Sequence, residues 1–509
     1  MIQQHLSLLP VVFPLIIGTL LLLPPITNTL VMQRKVTLFA SLVMIFLGIW
    51  MIQVANLDGI QLYFLGDWKP PFGIVFVLDR TSALMVLLTS ILTLGALLYA
   101  TGGDDATGMH FYPLFMFQVA GVNGAFLTGD LFNLFVFFEV LLIASYSLLI
   151  HGGGKQRTQA AMHYVILNLV GSAFFLFALG ILYGTLGTLN MADMAAKVHH
   201  LDADELALVK AGGLLLLVVF GLKSALLPLH FWLPRTYSVA SAPVAALFAI
   251  MTKVGIYSIL RVHTLIFGPE AGELANLIQP WLWPLSILTL AIGAVGALAS
   301  PSLRMLAANL VIISVGTLLV AAAIATPQAI GAALYYLVHS TLVAAALFLL
   351  ADAIGEQRGK PGDRFVAARR VQQPILLGSA FFVAALSVAG MPPFSGFIGK
   401  LMLLQAAADT PMIASWVWPA ILISSLAAII ALSRAGTSLF WRVSNKSNNN
   451  TVEVEALPLY KLSGIWLLLA CSPLMVIFAG SITEYTQLAA EQLFDIQNTL
   501  ELILQQGGK

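Results

Sequence analysis

The chain alternates long apolar runs with short polar connections. A helix needs about 20 mostly apolar residues to cross a bilayer, and fourteen runs of this kind are present. They lie near 6–24, 36–55, 81–100, 110–128, 130–150, 159–184, 207–229, 241–266, 277–299, 303–325, 328–352, 373–408, 413–441 and 458–480. The pattern predicts an all-α polytopic membrane protein with about fourteen transmembrane helices.

Two of these runs are interrupted. Pro228 and Pro234 fall in the seventh run, within KSALLPLHFWLP, and the twelfth run contains GMPPFSGF at 390–397. Proline removes a backbone donor and displaces the carbonyl one turn back. Freed backbone groups at membrane depth are tolerated only where protein buries them or where they line a water-filled cavity. The sequence therefore predicts that helices 7 and 12 are broken.

The two breaks also predict the organisation of the chain. Paired broken helices in corresponding positions are typical of transporters with inverted repeats, and the two interrupted runs are five apart. We predict two inverted five-helix repeats, helices 4–8 in 110–266 and helices 9–13 in 277–441. A three-helix segment, 1–109, precedes them and includes an external connection near 57–79 that forms a hairpin. Helix 14 and an amphipathic tail occupy 442–509.

Lysine and arginine in the loops predict the orientation, because they are more frequent on the cytoplasmic side. Opposite loops hold few, namely Lys69, Arg80 and Lys197. The loops after spans 1, 5, 7, 9, 11 and 13 hold Arg34, Lys35, Lys155, Arg157, Arg235, Arg304, Arg358, Lys360, Arg364, Arg369, Arg370, Arg442 and Lys446. We therefore expect both termini to be extracytoplasmic, with the SNKSNNNT segment of the 436–456 loop as a cytoplasmic linker.

Composition supports the membrane assignment and excludes several functions. Hydrophobic residues make up 59% of the chain and charged residues only 9%, whereas soluble domains carry about 25% charged residues. The net charge of +1 gives no reason to expect nucleic acid. A single cysteine, Cys471, excludes an intramolecular disulfide and a protein-held iron–sulfur cluster. The start lacks a basic region and a cleavage site, so we expect the first run to be retained.

Four charges lie deep within apolar runs: Glu139 in span 5, Lys223 in span 7, Lys253 in span 8 and Lys400 beside the break in span 12. Each such charge costs roughly 2.5–3.5 kcal/mol at a helix centre, so compensation must exist. A buried Glu–Lys pair can exchange between two ions and two neutral groups when a proton arrives. These four residues are therefore candidates for a charge relay that needs no open pore.

Polar neighbours extend the candidate path. Tyr146 is seven residues from Glu139 and shares its helix face, whereas Asp130 faces roughly opposite and is also a candidate N-cap. His230 follows Lys223 by seven residues but lies beyond Pro228.

On span 11, Tyr335 and His339 are four residues apart and face the same way. Imidazole titrates near neutrality, which suits a proton carrier. A lone helix histidine, such as His163, is more often hydrogen-bonded core.

Other charges have a structural alternative, because Arg261, Arg304, Arg434 and Lys210 lie near helix ends and can snorkel to the interface. No phosphate-binding glycine loop, zinc spacing, haem ligand pair or Ser-His-Asp arrangement is present. We expect no enzymatic chemistry, cofactor or metal site.

Long motifs carry a family resemblance. They are GDLFNLFVFFEVLLIASYSLL (129–149), FGLKSALLPLHFWLPRTYSVASAP (220–243), TKVGIYSILR (252–261) and AGMPPFSGFIGK (389–400). The chain resembles the antiporter-like subunits shared by respiratory complex I, membrane hydrogenases and Mrp-type cation/proton antiporters. Its length and the GDLFNLFVFFEV form are most similar to the D-type subunit of the Mrp antiporters.

The resemblance implies roles for individual residues. It implies that Glu139 pairs with Lys223, that Lys253 connects two half-channels, that His339 is a central relay and that Lys400 ends the second half-channel. Span 10 (308–316) lacks the histidine that some relatives carry, and span 11 lacks a lysine after its histidine. The central relay is therefore expected to depend more on water and Lys253.

Three functions remain open from the sequence alone. The first is a proton-translocating subunit of a multisubunit Na⁺(K⁺)/H⁺ antiporter in the bacterial plasma membrane, with other membrane subunits as partners. The second is a proton-pumping subunit of a complex I-like or hydrogenase redox complex, whose partners would hold the cofactors. The third is an assembly scaffold with inert charges. Neighbouring genes would separate the first two, and normal transport by a Glu139→Ala variant would favour the scaffold.

Overall fold

A computed structural model describes residues 3–68, 70, 72–199, 201–443 and 456–507. Its α-helices are α1 (Leu9–Leu20), α2 (Leu30–Leu57), α3 (Arg80–Ala100), α4 (Phe111–Leu127), α5 (Leu131–Ile150), α6 (Lys155–Leu186), α7 (Met191–Val198), α8 (Ala203–Ser224), α9 (Trp232–Val239), α10 (Ala242–Phe248), α11 (Met251–Leu265), α12 (Gln279–Ala299), α13 (Leu303–Ile324), α14 (Pro327–Arg358), α15 (Pro374–Ala389), α16 (Ser395–Ala408), α17 (Pro411–Gly436), α18 (Leu459–Ile477), α19 (Ala479–Phe494) and α20 (Ile496–Gly507). Short 3₁₀ turns occupy Gln3–His5, Leu65–Asp67, Asp104–Ala106 and Gly272–Leu274, and a π-helical turn, Thr437–Trp441, continues α17. The strands are β1 (Gln61–Phe64) and β2 (Val75–Leu78).

The helices confirm an all-α polytopic architecture. Within the described residues, 11 helical segments are long and apolar enough to cross a membrane, and α1, α4, α15 and α16 are shorter apolar helices. The predicted count of fourteen spans stays a prediction. Lys69, Lys446, Lys509 and the SNKSNNNT segment lie outside the described residues.

Both predicted breaks are present. Helix 7 consists of α8 and α9, separated at 225–231, and helix 12 consists of α15 and α16, separated at 390–394. Gly390 has φ 78°, in the left-handed region where glycine carries no steric penalty. The prediction for Pro234 is wrong, because this residue lies in the first turn of α9. Backbone N–H groups there have no intrahelical partner, so proline removes nothing.

The helices differ in how deeply they are buried. The segment formed by α10 and α11 and the helix α13 are buried along their whole apolar length, and α14 along most of it. Helices α6 and α17 expose most of theirs. The residues in the middle of α11 and α14, such as Lys253 and His339, therefore lie at the centre of the bundle, where their side chains cannot extend to the membrane surface.

The order of elements recurs along the chain. Helices α4, α5, α6, the broken pair α8–α9 and α10–α11 are followed by α12, α13, α14, the broken pair α15–α16 and α17. The third helix of each series, α6 and α14, has 32 residues. This order agrees with the predicted repeats, whose inversion and boundaries stay predictions.

One end of the bundle carries the hairpin predicted near 57–79. Strands β1 and β2 pair antiparallel, with Gln61 opposite Leu78. Val75 and Val77 of β2 form a small apolar cluster with Ala192 of α7 and Ile503 of α20. The backbone N–H of Gly129 donates to the Val75 carbonyl at 2.8 Å, so the hairpin lies next to the start of α5.

Candidate functional site

Lys223 and Glu139 meet the same face of α6. Lys223 lies in the last turn of α8, and its Nζ donates to Asn168 Oδ1 at 2.9 Å. The hydroxyl of Ser172 donates to Glu139 Oε1. Asn168 and Ser172 are four residues apart, so both project from one side of α6. The hydrogen-bond partner of Lys223 is thus a neutral amide, and that of Glu139 is a neutral hydroxyl.

The direct Glu139–Lys223 ion pair implied by the resemblance is not formed in the described structure, because each charge is hydrogen-bonded to its own neutral partner on α6. The carboxylate nevertheless lies near enough to act on Lys223 electrostatically. The Phe138 ring also lies 5.7 Å from the ammonium. Glu139 and Lys223 therefore contact two polar residues on the same side of α6 rather than each other.

Lys253 is fully buried at the centre of the bundle. It lies on α11 and donates to Ser314 Oγ of α13 at 2.9 Å. The backbones of α11 and α8 approach closely here, because a Cβ on Gly255 would lie 2.6 Å from the Ser224 nitrogen. The helix that carries Lys253 therefore crosses the helix that carries Lys223 at the level of both lysines.

His339 of α14 contacts a cluster of three serine hydroxyl groups, which lie on α15, α16 and α18. His339 Nδ1 and Ser395 Oγ are 2.7 Å apart, and Ser395 Oγ lies 2.8 Å from Ser472 Oγ. Ser387 Oγ is a further 3.2 Å from Ser472 Oγ. Gly396 allows this approach, since a Cβ there would lie 2.7 Å from His339 Nε2. These bonds join His339 to both halves of broken helix 12.

Lys400 lies on α16 and donates to backbone groups freed by the break. Its Nζ is 3.0 Å from the Val388 carbonyl, 3.1 Å from the Ala389 carbonyl and 2.9 Å from Ser425 Oγ. The two carbonyls end α15, where a helix carries partial negative charge. Lys400 also interacts electrostatically with His339.

The additional relay candidates occupy different settings. The Tyr146 hydroxyl is buried without a hydrogen-bond partner among the described residues, and its ring lies 5.4 Å from that of Tyr164. Asp130 is the N-cap of α5 and accepts from the Asn133 N–H at 2.8 Å, which confirms the capping alternative. Tyr335 donates to the Met475 carbonyl at 3.1 Å rather than to His339. His230 lies half-buried between α8 and α9.

Two arginines given the snorkelling interpretation are ion-paired instead. Arg261 contacts Asp79 at 2.5 Å, and Arg304 contacts Asp352. The prediction of snorkelling is wrong for both, because each finds a carboxylate from a distant part of the chain. His163 is exposed on α6, with Nδ1 3.0 Å from the Gln159 carbonyl, so it is not core.

Sequence reasoning missed a charged cluster at the end of the bundle opposite the hairpin. Lys461 is buried and contacts Glu356, Asp104 at 3.6 Å and Asp352 at 3.9 Å. The Tyr99 hydroxyl donates to Asp352 Oδ2 at 2.8 Å. Asp352 and Glu356 are four residues apart at the end of α14. This spacing places both carboxylates on one face of the helix, but it does not indicate that Lys461 is their partner. This cluster differs from the other lysine sites, because carboxylates surround it.

Comparison with known proteins gives one consistent result. The family model described as "NADH:quinone oxidoreductase/Mrp antiporter, TM" matches residues 128–430. The chain is 40% identical to the D-type subunit of a probable K(+)/H(+) antiporter of Rhizobium meliloti (strain 1021), over 96% of each. It is 37% identical to the D-type subunit of the Na(+)/H(+) antiporter of Bacillus subtilis (strain 168), over 99% of this chain and 100% of that one.

A solved structure shows the same architecture. A chain in the Mrp complex from Dietzia sp. DQ12-45-1b superposes with a TM-score of 0.86 at 28% identity, over 99% of this chain and 100% of that chain. The matched segment 128–430 contains Glu139, Lys223, Lys253, His339 and Lys400. The chain belongs to the NADH:quinone oxidoreductase/Mrp antiporter transmembrane family.

Proposed function

We propose that this chain is the proton-translocating subunit of a multisubunit Na⁺(K⁺)/H⁺ antiporter of the bacterial plasma membrane. Its relatives are named as D-type antiporter subunits, for sodium in one case and potassium in the other. Its partners are the other membrane subunits of such a complex, together with protons and Na⁺ or K⁺. Within the complex, Glu139, Lys223, Lys253, His339 and Lys400 carry the proton.

One observation carries the proposal: the buried titratable groups are bonded mainly to neutral partners. Lys223 donates a hydrogen bond to an amide oxygen, and Lys253 donates one to a hydroxyl. Lys400 donates to two backbone carbonyls and one hydroxyl. Removing one member of a buried ion pair leaves an uncompensated charge, whereas these neutral partners remain compatible with a lysine that gains or loses its proton. The lysines are therefore suited to titrate, in contrast to the ion-paired Arg261.

The arrangement also forms a continuous row of helices. Lys223 and Lys253 lie on crossing helices, and Lys253 bonds to Ser314 of α13. Thr317, one turn after Ser314, is a buried hydroxyl residue of α13, and α13 packs against α14. The Tyr336 ring lies 5.8 Å from that of His339. A proton can thus pass between polar groups on successive helices, with water bridging the remaining gaps.

Replacement of Lys223 by arginine tests the proposal. Arginine keeps the positive charge but does not release its proton in proteins. In the assembled complex, Lys223→Arg should abolish antiport measured as cation-driven pH change in everted vesicles. Lys210→Arg, on the exposed part of the same helix, should transport normally. Wild-type exchange by Lys223→Arg between pH 7 and 9 would exclude titration of Lys223 from the mechanism.

We also propose that both termini face away from the cytoplasm. The charge-rich end of the bundle, with Arg34, Arg157 and Arg304, would then be cytoplasmic, as the loop charges favour. A reporter fused to the C-terminus should be active only outside the cytoplasm. A fusion active only inside it would reverse the orientation.

A further inference from the structure

His263 is a buried histidine that the proposed relay does not use. It lies on α11, ten residues after Lys253, and only 6% of its surface is exposed. Neither ring nitrogen has a hydrogen-bond partner among the described residues. Buried polar side chains in proteins are almost always bonded to protein or to ordered water. The unpartnered ring therefore indicates a place for a ligand that can hydrogen-bond, of which water is the simplest.

A small cavity adjoins the ring. Its volume is about 30 Å³, which is room for about two water molecules on the scale of roughly 10–15 Å³ each. Asn276, Gln279 and Thr264 supply polar groups to its wall, and Ala322 of α13 and Ala325, which follows α13, supply small apolar ones. Among the described residues that line the cavity, His263 is the only titratable one. Asn276 and Gln279 are partly exposed, so two amide residues of the cavity wall also face the protein surface.

The cavity lies at the outer end of the two helices that hold the central lysine. Lys253 of α11 bonds to Ser314 of α13, and the same two helices line the cavity further along. His263 is about 15 Å from Lys253 along the helix axis, at 1.5 Å per residue. Buried Thr317 of α13 offers a hydroxyl between the two levels. Water molecules are needed to connect His263, Thr317 and Lys253 by hydrogen bonds over this distance.

We propose that His263 and its cavity form the extracytoplasmic proton access to Lys253. A proton from a cavity water binds one ring nitrogen, and the other nitrogen releases its proton inward to a water on the Thr317 side. Imidazole can perform this exchange because its two nitrogens act as donor and acceptor in turn. This inference rests on the proposed antiport function and adds the outer half of the path.

The competing explanation is packing. The His263 ring lies 5.5 Å from the Phe267 ring and 6.4 Å from the Phe220 ring, measured between centroids. Phenylalanine at 263 would satisfy an aromatic packing role and would also close the path to protons. His263→Phe in the assembled complex should therefore lower antiport about 10-fold or more. His263→Gln, which can hold water but not a proton, should also be slow.

The control is His163→Phe, which replaces an exposed histidine of α6 and should transport as the wild type does. Normal antiport by His263→Phe would overturn the inference and establish packing. If Lys223→Arg also transported normally, the proposed function itself would fall. Loss in Lys223→Arg with normal rates in His263→Phe would remove only the outer access, so the two failures are distinguishable.

A labelling experiment covers the case in which His263→Phe fails to assemble. In a Cys471→Ala background, His263→Cys is treated from the outside with Ag⁺, which enters narrow water-filled passages. Protection of this thiol from later maleimide labelling of the denatured chain is measured. We expect protection of His263→Cys and none of Val262→Cys, the adjacent residue, which is fully buried and does not line the cavity. Equal labelling of both thiols after Ag⁺ treatment would overturn the inference.

Discussion

The two broken helices each hold a lysine, but they hold it in different ways. Lys223 ends the first half of helix 7 and donates to the side chain of Asn168. Lys400 belongs to the second half of helix 12 and donates to the Val388 and Ala389 carbonyls that end the first half. The acceptor of Lys223 thus belongs to a neighbouring helix, whereas two of the three acceptors of Lys400 belong to the backbone of its own broken helix.

The difference has a consequence for the chemistry. Backbone carbonyls at a helix C-terminus present a fixed partial negative charge that no protonation removes. The Lys223 site instead has the Glu139 side chain nearby, and our proposal assigns proton transfer to this side chain. We infer that the Lys223 site responds to the arrival of a proton, whereas the Lys400 site presents a constant environment.

A third buried lysine marks the opposite extreme. Lys461 is surrounded by Asp104, Asp352 and Glu356. Carboxylates on several sides favour a permanently charged ammonium. This site therefore has the character of a structural ion cluster and provides a reference for the two lysines of the broken helices.

The largest effect is expected from Glu139→Gln. The variant can still receive the Ser172 hydroxyl bond but loses the charge that acts on Lys223. We expect antiport by the complex to fall about 100-fold or more, on the scale of lost proton-transfer groups. Glu139→Asp keeps the charge on a shorter side chain and should retain partial activity. If Glu139→Gln were as active as Glu139→Asp, the carboxylate would not control Lys223.

Removing one hydrogen-bond acceptor from each lysine tests the comparison directly. Asn168→Leu deprives Lys223 of the bond at 2.9 Å, so we expect loss of antiport and a loss of about 1–3 kcal/mol in stability. Ser425→Ala leaves Lys400 with two carbonyl acceptors and should cost less on both measures. Transport assays and thermal unfolding of the purified complex provide the readouts. A larger effect of Ser425→Ala than of Asn168→Leu would contradict the inference that the Lys223 site, rather than the Lys400 site, responds to the arrival of a proton.

Close backbone approaches at both breaks give a third prediction. A Cβ at Gly255 would lie 2.6 Å from the Ser224 nitrogen, and a Cβ at Gly396 would clash with the Ser387 carbonyl oxygen. Gly255→Ala and Gly396→Ala should each destabilise the chain by about 1–3 kcal/mol through overpacking. Gly180→Ala meets open space and serves as the control in the same thermal unfolding assay. Unchanged stability in either test variant would show that the helices there can separate.

The smallest effect concerns the Lys461 cluster. Burial, with the nearby charge of Asp352, raises the pKa of Asp104, in the loop after α3, from near 3.8 to about 6. Between these values the folded chain binds more protons than the unfolded chain, so this residue's contribution to stability falls as pH rises through that window. Asp104→Asn should remove that dependence and raise the unfolding temperature slightly above pH 6. A steeper loss of stability in the variant would contradict this sign.

Much of the fold was predictable because the bilayer restricts the choices. Apolar length predicts a membrane-spanning helix, and GMPPFSGF at 390–397 predicted the break between α15 and α16. Pro234 was misjudged because the effect of a proline depends on where a helix begins. Charges inside apolar runs stood out for a similar reason: placing Glu139, Lys223, Lys253 and Lys400 within apolar membrane segments is costly, so their presence needs an explanation.

The partners of those charges were not predictable. Asn168 and Ser172 are neutral and ordinary in a helix, and only the packing of α5, α6 and α8 brings them to Glu139 and Lys223. Asp79 is 182 positions before Arg261 in the sequence, so no local pattern joins them. The sequence by itself determined that the chain is a bundle of apolar helices, where two of these helices break, and that Glu139, Lys223, Lys253 and Lys400 lie within apolar segments. Tertiary structure alone decided which group each charge meets and that His263 adjoins a cavity, because both depend on how separate helices pack together.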